Sequence, residues 1–227
     1  FLTEKEFQSL KSGLDECIQN IIFSELGIHT DSFDLNNYHH VVKNDDDHYK
    51  VVSKTRDLFP EDFNFPIGEI IPKFESLLGF GLTDVNIDNG EKLHIIVRIN
   101  RPHSTDYNPP HKDIYEGVDG EGKIPKIINL WIPICGVTPL SSLPIVPKSH
   151  LLPENQVFRT LEGGVVGGKK YRVRMVKEWN GNNELTRPVV NYGGVLFFSS
   201  HLIHGLAINE EKDKTRVSLE FRLCKKD

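Results

Sequence analysis

The chain has 227 residues, of which 38% are hydrophobic and 26% charged, and its formal net charge is −5. That is enough apolar material for one sizeable core in a soluble globular protein, which we read as one domain. The acidic balance argues against a nucleic-acid partner, and no apolar run approaches the length of a membrane span.

Cys17, Cys135 and Cys224 are odd in number and widely spaced. They offer neither a disulfide framework nor a thiolate zinc site, so a reduced, cytoplasmic compartment is the simpler reading. The chain opens on Phe1 rather than Met, which leaves a preceding targeting segment open. Oligomeric state is not legible.

Residues 3–26 read as an amphipathic helix, with Phe7, Leu10, Leu14, Ile18, Ile21 and Ile22 at helical spacing. Thr3 to Glu6 fits a capping box, Leu2 can staple against Phe7, and Gly27 is a plausible stop. His39-His40 could bind a metal, but neighbours in an extended chain face opposite ways, and the polar stretch around them reads as a solvated loop. Asp45-Asp46-Asp47 suits the start of a helix reaching to about Leu58, before Pro60. Another helix is expected from about Gly68 to Leu78, with Pro72 near its first turn.

From Asp84 the pattern turns to strands. Val85–Ile87 and Leu93–Ile99 flank Asp88-Asn89-Gly90, a hairpin signal. A turn-rich loop from Arg101 to Pro110 delivers the chain to His111, and a second loop with Gly117, Gly120 and Gly122 leads to Ile127–Ile134. Leu143–Val146, Tyr171–Trp179 and Glu184–Val190 are short strand candidates, the last two around the turn Asn180-Gly181. Gly194–Phe198 reads as a buried strand, and Arg216–Leu223 alternates apolar and polar. Helices followed by about eight short strands predict an α+β, mainly β chain. Residues 81–227 would form a double-sheet jelly roll (a double-stranded β-helix, cupin-like barrel), with the helices of residues 1–80 packed outside it.

His111-Lys112-Asp113 sets an imidazole and a carboxylate on one face of an extended segment. A second imidazole beside them would complete a two-His, one-carboxylate facial triad, a set that leaves positions open and suits non-haem Fe(II). His204, about ninety residues on, can meet the pair across a barrel mouth. His201 competes with it, but the following Gly205 and the spacing to Arg216 favour His204.

Together, His111-Lys112-Asp113, Asn129-Leu130-Trp131, Val146–His150, Leu202–Gly205, Asn209 and Arg216 resemble the Fe(II)/2-oxoglutarate oxygenases of the phytanoyl-CoA dioxygenase type, over roughly residues 93–223. The resemblance implies His111, Asp113 and His204 as iron ligands. It implies Arg216 as the partner of the far carboxylate of 2-oxoglutarate, with Ser218 adding a hydrogen bond. Arginine's planar fork suits a carboxylate, and Arg222 on the same face is the fallback clamp. Trp131 would lie against the cosubstrate, and Asn129 would donate to cosubstrate or product. Lys148 departs from the more usual glycine before serine, at what reads as a structural turn.

The implied reaction consumes O2 and 2-oxoglutarate, releases succinate and CO2, and hydroxylates a substrate. A small polar metabolite or natural-product intermediate is the expected partner, with Arg98 and Arg101 hinting at polar or anionic groups. Residues 151–193 form a long excursion, with Gly163-Gly164 and Gly167-Gly168, that reads as a lid. Two other classes stay open: a cupin-like metalloenzyme without 2-oxoglutarate, which Arg216 and Ser218 argue against, and a non-catalytic jelly-roll binding module. Asp113 argues against halogenation, which needs a small residue there.

Overall fold

The computed structural model describes residues 1–115, 126–181 and 183–226. The expected loop with Gly117, Gly120 and Gly122 lies outside them. The first helix, α1 (Glu4–Leu26), is capped as its sequence predicts. Thr3 Oγ1 accepts from the Glu6 amide, and the Glu6 carboxylate accepts from the Thr3 amide. Phe7, Leu10, Leu14, Ile18 and Ile22 form its buried stripe, and Gly27 ends it.

His39 and His40 fall in a short helical turn, α2 (Tyr38–Val41), not in a solvated loop. Successive side chains on a helix diverge by only about 100°, so both rings reach one acceptor, Asp213. Helix α3 (Asp45–Lys54) starts on its three aspartates behind an Asn44 cap. It stops short of Leu58 because the chain beyond it is taken up beside a strand. Thr55 exchanges bonds with Val97, and Leu58 pairs with Ile95. Helix α4 (Ile67–Leu78) carries Pro72 in its second turn rather than its first, so one intrahelical bond is forgone there.

The strands are β1 (Leu82–Thr83), β2 (Ile96–Asn100), β3 (Ile127–Cys135), β4 (Val157–Arg159), β5 (Gly164–Val166), β6 (Lys169–Tyr171), β7 (Val176–Trp179), β8 (Leu196–Ser199) and β9 (Arg216–Lys225). The largest sheet is antiparallel in the order β1-β9-β3-β8, with β2 sharing the β1 edge of β9. β9 is therefore central. Its Val217, Leu219, Phe221 and Leu223 join the same buried cluster as the α1 stripe and as Leu130 and Ile132 of β3. Its other face presents Arg216, Ser218, Glu220 and Arg222, opposite Asn129, Trp131 and Pro133 of β3 and Ile96, Arg98 and Asn100 of β2.

A second set of segments pairs through a few main-chain bonds. His111 and His204 exchange bonds of 2.8 and 3.0 Å, and Ile145 and Thr186 exchange bonds of 2.9 and 2.8 Å. The Val146 amide donates to Ile203 and the Val176 amide to Pro110.

Three strand expectations change. The 85–99 hairpin keeps its turn but only one bridge, Val85 to Lys92, because residues 96–100 pair with β9 instead. Glu184–Val190 contributes only the bridge at Thr186, and β7 pairs with β4 rather than across Asn180-Gly181. β8 is half-buried, since it lies at the end of the sheet. Within the long excursion, Gly167 and Gly168 both have positive φ, 55° and 82°. That is the two-residue turn that joins tightly paired strands, and here it joins β5 to β6.

Candidate metal centre

His111, Asp113 and His204 come together as the sequence predicts. Their ligand atoms all lie within 4.8 Å of one another. The two histidines are brought side by side by the main-chain pairing of their own segments. Each ring is then fixed by its neighbour two residues back: His111 Nδ1 lies 2.8 Å from the Pro109 carbonyl, and His204 Nδ1 lies 2.9 Å from that of Leu202. A carbonyl only accepts, so both Nδ1 atoms carry a proton, and in its neutral form each ring presents Nε2 as the ligand atom. These point at the Asp113 carboxylate, at 3.8 Å for His111 and 4.0 Å for His204.

With both rings neutral, three acceptors would face one another beyond hydrogen-bond reach, an arrangement that a cation at its centre would satisfy. The donor set suits borderline divalent iron, and the carbonyls behind both rings are the orienting groups such ligands need.

Burial pulls the His111 imidazole down to about 4, and nearby His204 adds to this. Burial works to raise the Asp113 carboxyl, but His204, Arg222 and His111 outweigh it and hold the group well below the usual carboxylate range. Both of its oxygens are occupied. Arg222 Nη2 lies 3.0 Å from Oδ1, and Asn129 Nδ2 donates to Oδ2. Ser200 Oγ in turn donates to Asn129 Oδ1 at 2.8 Å. Asn129 therefore holds the carboxylate rather than reaching for a cosubstrate, and Arg222 does the same rather than waiting as a second clamp. The alternation of β9 marked Arg222 as facing inward, whereas nothing in the sequence marked Ser200. Phe198 sets its ring edge against His204, with centroids 5.0 Å apart. His201 is not part of the converging set.

Gly205 explains the His-Gly pairing. Its φ is 118°, and a β-carbon there would lie 2.5 Å from the Pro109 carbonyl oxygen and 3.1 Å from His111 Nδ1. Lys148 shows what the missing glycine would have done. It sits at φ 65°, in the left-handed region, so that Ser149 Oγ can accept from the Ile203 amide at 2.8 Å beside His204.

A cavity of about 40 Å3 lies against the cluster, lined by Asp113, His204, Asn129 and Phe198 together with His94, Arg98, Glu220 and Arg222. Arg98 pairs with Glu220 at 2.6 Å. Arg101, by contrast, is engaged with Asp106 and Asp45 and does not line this cavity.

Along β9 the cavity reaches Glu220 and stops short of Ser218 and Arg216. Arg216 is 1% exposed, and its polar contacts are the Ser141 carbonyl at 3.2 Å and Ser218 Oγ at 2.7 Å. Among the described residues no carboxylate lies within ion-pairing distance of it. Burial pulls its pKa down to about 10. Trp131 is fully buried among Leu143, Ala207 and Leu196, and its indole N–H has no partner. Deep on the polar face, the Arg216 guanidinium thus has only neutral acceptors and the Trp131 N–H has none.

The match to the phytanoyl-CoA dioxygenase (PhyH) family model covers residues 1–213. Among curated proteins no sequence relative of the chain is found. Two solved structures share the fold. AviO1 from Streptomyces viridochromogenes Tue57 is 15% identical with a TM-score of 0.52, covering 98% of this chain and 86% of its own. EvdMO1 is 18% identical with a TM-score of 0.53, covering 98% of this chain and 45% of its own. The family match spans the helices, the cluster and the lead-in to Arg216, and by it the chain belongs to the phytanoyl-CoA dioxygenase family.

Proposed function

We propose that the chain is an Fe(II)- and 2-oxoglutarate-dependent dioxygenase that hydroxylates a small polar molecule, releasing succinate and CO2. The observation that carries this reading is the cluster of two imidazoles, each held by a carbonyl acceptor from behind, and one carboxylate held by the donors Asn129 and Arg222. His111, Asp113 and His204 would hold the iron. When bound, iron with 2-oxoglutarate supplies the activation of O2 that no side chain can provide.

The chain's own part is orientation, charge and exclusion of water. Asn129 and Arg222 keep the Asp113 carboxylate between the rings. Arg216 would pair with the far carboxylate of 2-oxoglutarate, which would otherwise be a costly unpaired charge in a closed interior. Ser218 would add a hydroxyl and hold the guanidinium in place, and Trp131 N–H is a further donor to the same group. Reaching Arg216 requires the Arg98–Glu220 pair to part, since the cavity ends there.

The two layers that carry the site, one a sheet and one a set of bridged segments, are what a jelly roll provides. The shared core of α1 and the sheet supports helices packed outside it within one domain over residues 1–227. The ribbon β5–β6 leans on the lead-in to His111, with Lys169 donating to Thr105. That contact supports a lid over residues 151–193. A buried arginine with only neutral acceptors argues against a metalloenzyme that does without 2-oxoglutarate.

The test is 2-oxoglutarate turnover by protein loaded anaerobically with Fe(II), across a panel of polar metabolites. Succinate formed in step with substrate oxidation, and lost in Asp113→Ala, is the expected result. If anaerobic Fe(II) plus 2-oxoglutarate gives no visible charge-transfer band and no succinate forms with any substrate, the reading fails.

A further inference from the structure

A second converging set of donors lies outside the catalytic cluster. His39 Nε2 and His40 Nε2 lie 2.9 and 2.8 Å from the same oxygen of Asp213, and the three ligand atoms fall within 4.8 Å of one another. Bonds of about 2.0–2.2 Å from a first-row divalent ion to imidazole and carboxylate set neighbouring donors about 2.9–3.4 Å apart. The observed separations are close to that spacing.

The set is also supported from behind. Thr215 Oγ1 lies 2.8 Å from His39 Nδ1 and accepts from the His39 amide at 3.3 Å. A hydroxyl oxygen has two lone pairs, so it can take both protons, and the tautomer that does so exchanges the Nε2 hydrogen bond to Asp213 for a free ligand atom, as metal-bound histidines require. The Thr215 amide donates to the Asn36 carbonyl at 2.8 Å. The two halves of the site, more than 170 residues apart in sequence, are therefore registered by the main chain as well as by the donors themselves. The side chains of Asp213 and His40 are 72% and 55% exposed, which leaves the remaining coordination positions to water.

We propose that His39, His40 and Asp213 form a peripheral site for a borderline divalent transition ion, of the Zn(II), Ni(II) or Cu(II) class. Two imidazoles and one carboxylate favour these over Mg(II) or Ca(II), which prefer all-oxygen shells. An ion there fastens residues 36–41 to residues 213–215, the segment that leads directly into Arg216. It neither touches the catalytic cluster nor depends on its assignment.

The experiment is equilibrium dialysis of the metal-free protein against buffered Zn(II), with Co(II) absorption as a second readout. Wild type takes one equivalent more than either His40→Gln or Asp213→Asn, and His111→Gln keeps that peripheral equivalent. His40→Gln is the gentler change, because its ring is exposed and circular dichroism checks that the fold is kept. Amide exchange at Thr215 and Arg216 slows on adding Zn(II) to wild type but not to His40→Gln. Equal stoichiometry in wild type, His40→Gln and Asp213→Asn overturns the proposal.

Discussion

Replacing Gly205 with alanine tests whether the metal cluster depends on backbone packing as closely as its geometry says. The added methyl would lie 2.5 Å from the Pro109 oxygen and 3.1 Å from His111 Nδ1. The first distance is well inside van der Waals contact, and the atom met is rigid backbone. The backbone at φ 118° adds strain of roughly 1–3 kcal/mol for any residue with a β-carbon. Overpacking adds a further cost of roughly 1–3 kcal/mol.

Relief comes most easily by moving Pro109, and that carbonyl is what fixes the His111 ring. Loss of such an orienting bond costs roughly 10- to 100-fold in metal affinity. The expected result is a melting temperature lower by on the order of 10 °C, together with Fe(II) or Co(II) binding at least tenfold weaker. Competition with a chromophoric chelator measures the affinity and calorimetry the melting. Melting and metal affinity both equal to wild type would refute the argument.

Arg216→Lys keeps the charge but loses the planar fork, so we expect the KM for 2-oxoglutarate to rise by roughly 10- to 100-fold with metal affinity unchanged. An unchanged KM would place the carboxylate elsewhere. Asn129→Leu removes the donor to Asp113 Oδ2 and leaves Ser200 without its acceptor, and should weaken Fe(II) binding by roughly 10-fold or more in the same chelator assay. Lys148→Gly should stabilise the fold by roughly 1 kcal/mol, because the left-handed conformation at φ 65° costs a β-carbon; denaturant melts with no shift would count against this. His48 is buried with its pKa pulled down to about 4 by burial, despite nearby Asp106. The unfolded chain therefore binds more protons than the folded one below pH 6.5, and stability falls as pH drops from about 6.5 to about 4. Chemical denaturation of the metal-free protein at pH 7 and pH 4.5 should show the loss, and His48→Gln should flatten it. An equally steep loss in that variant would assign the slope to other groups.

The amphipathic stripe and capping box of α1 could be read from the sequence because both are local. Their residues lie within one or two turns, and the spacing alone fixes which face is buried. The alternation in β9 could be read for the same reason, and it correctly put Arg216, Ser218, Glu220 and Arg222 on one face. What each of those side chains does was not legible. Whether Arg222 clamps a cosubstrate or holds Asp113 depends on the register of β9 against β3, where it stands opposite Asn129, and register is a long-range property. His39-His40 was misread for a related reason. The two rings diverge if the backbone is extended and converge if it is helical, and a four-residue helical turn leaves too short a periodicity to detect.

The metal cluster itself lies between these cases. His-x-Asp fixes two donors locally, but the third is decided by which histidine lies across from His111. His204 holds that place because its amide and carbonyl both pair with those of His111. Its segment is held from the other side as well, by Val146 bonded to Ile203 and by Ser149 capping the Ile203 amide. His201 lies in the turn just after β8, next to Ser200, whose carbonyl accepts from the Asp113 and Ile114 amides, and it falls outside the converging set. Main-chain pairing thus sets His204, and not His201, directly across from His111. The same pairing brings Gly205 against Pro109, where a side chain would displace the carbonyl that orients the first imidazole. The glycine after the third ligand and the ring orientation of the first are thus one constraint, and a change at either should be felt at both.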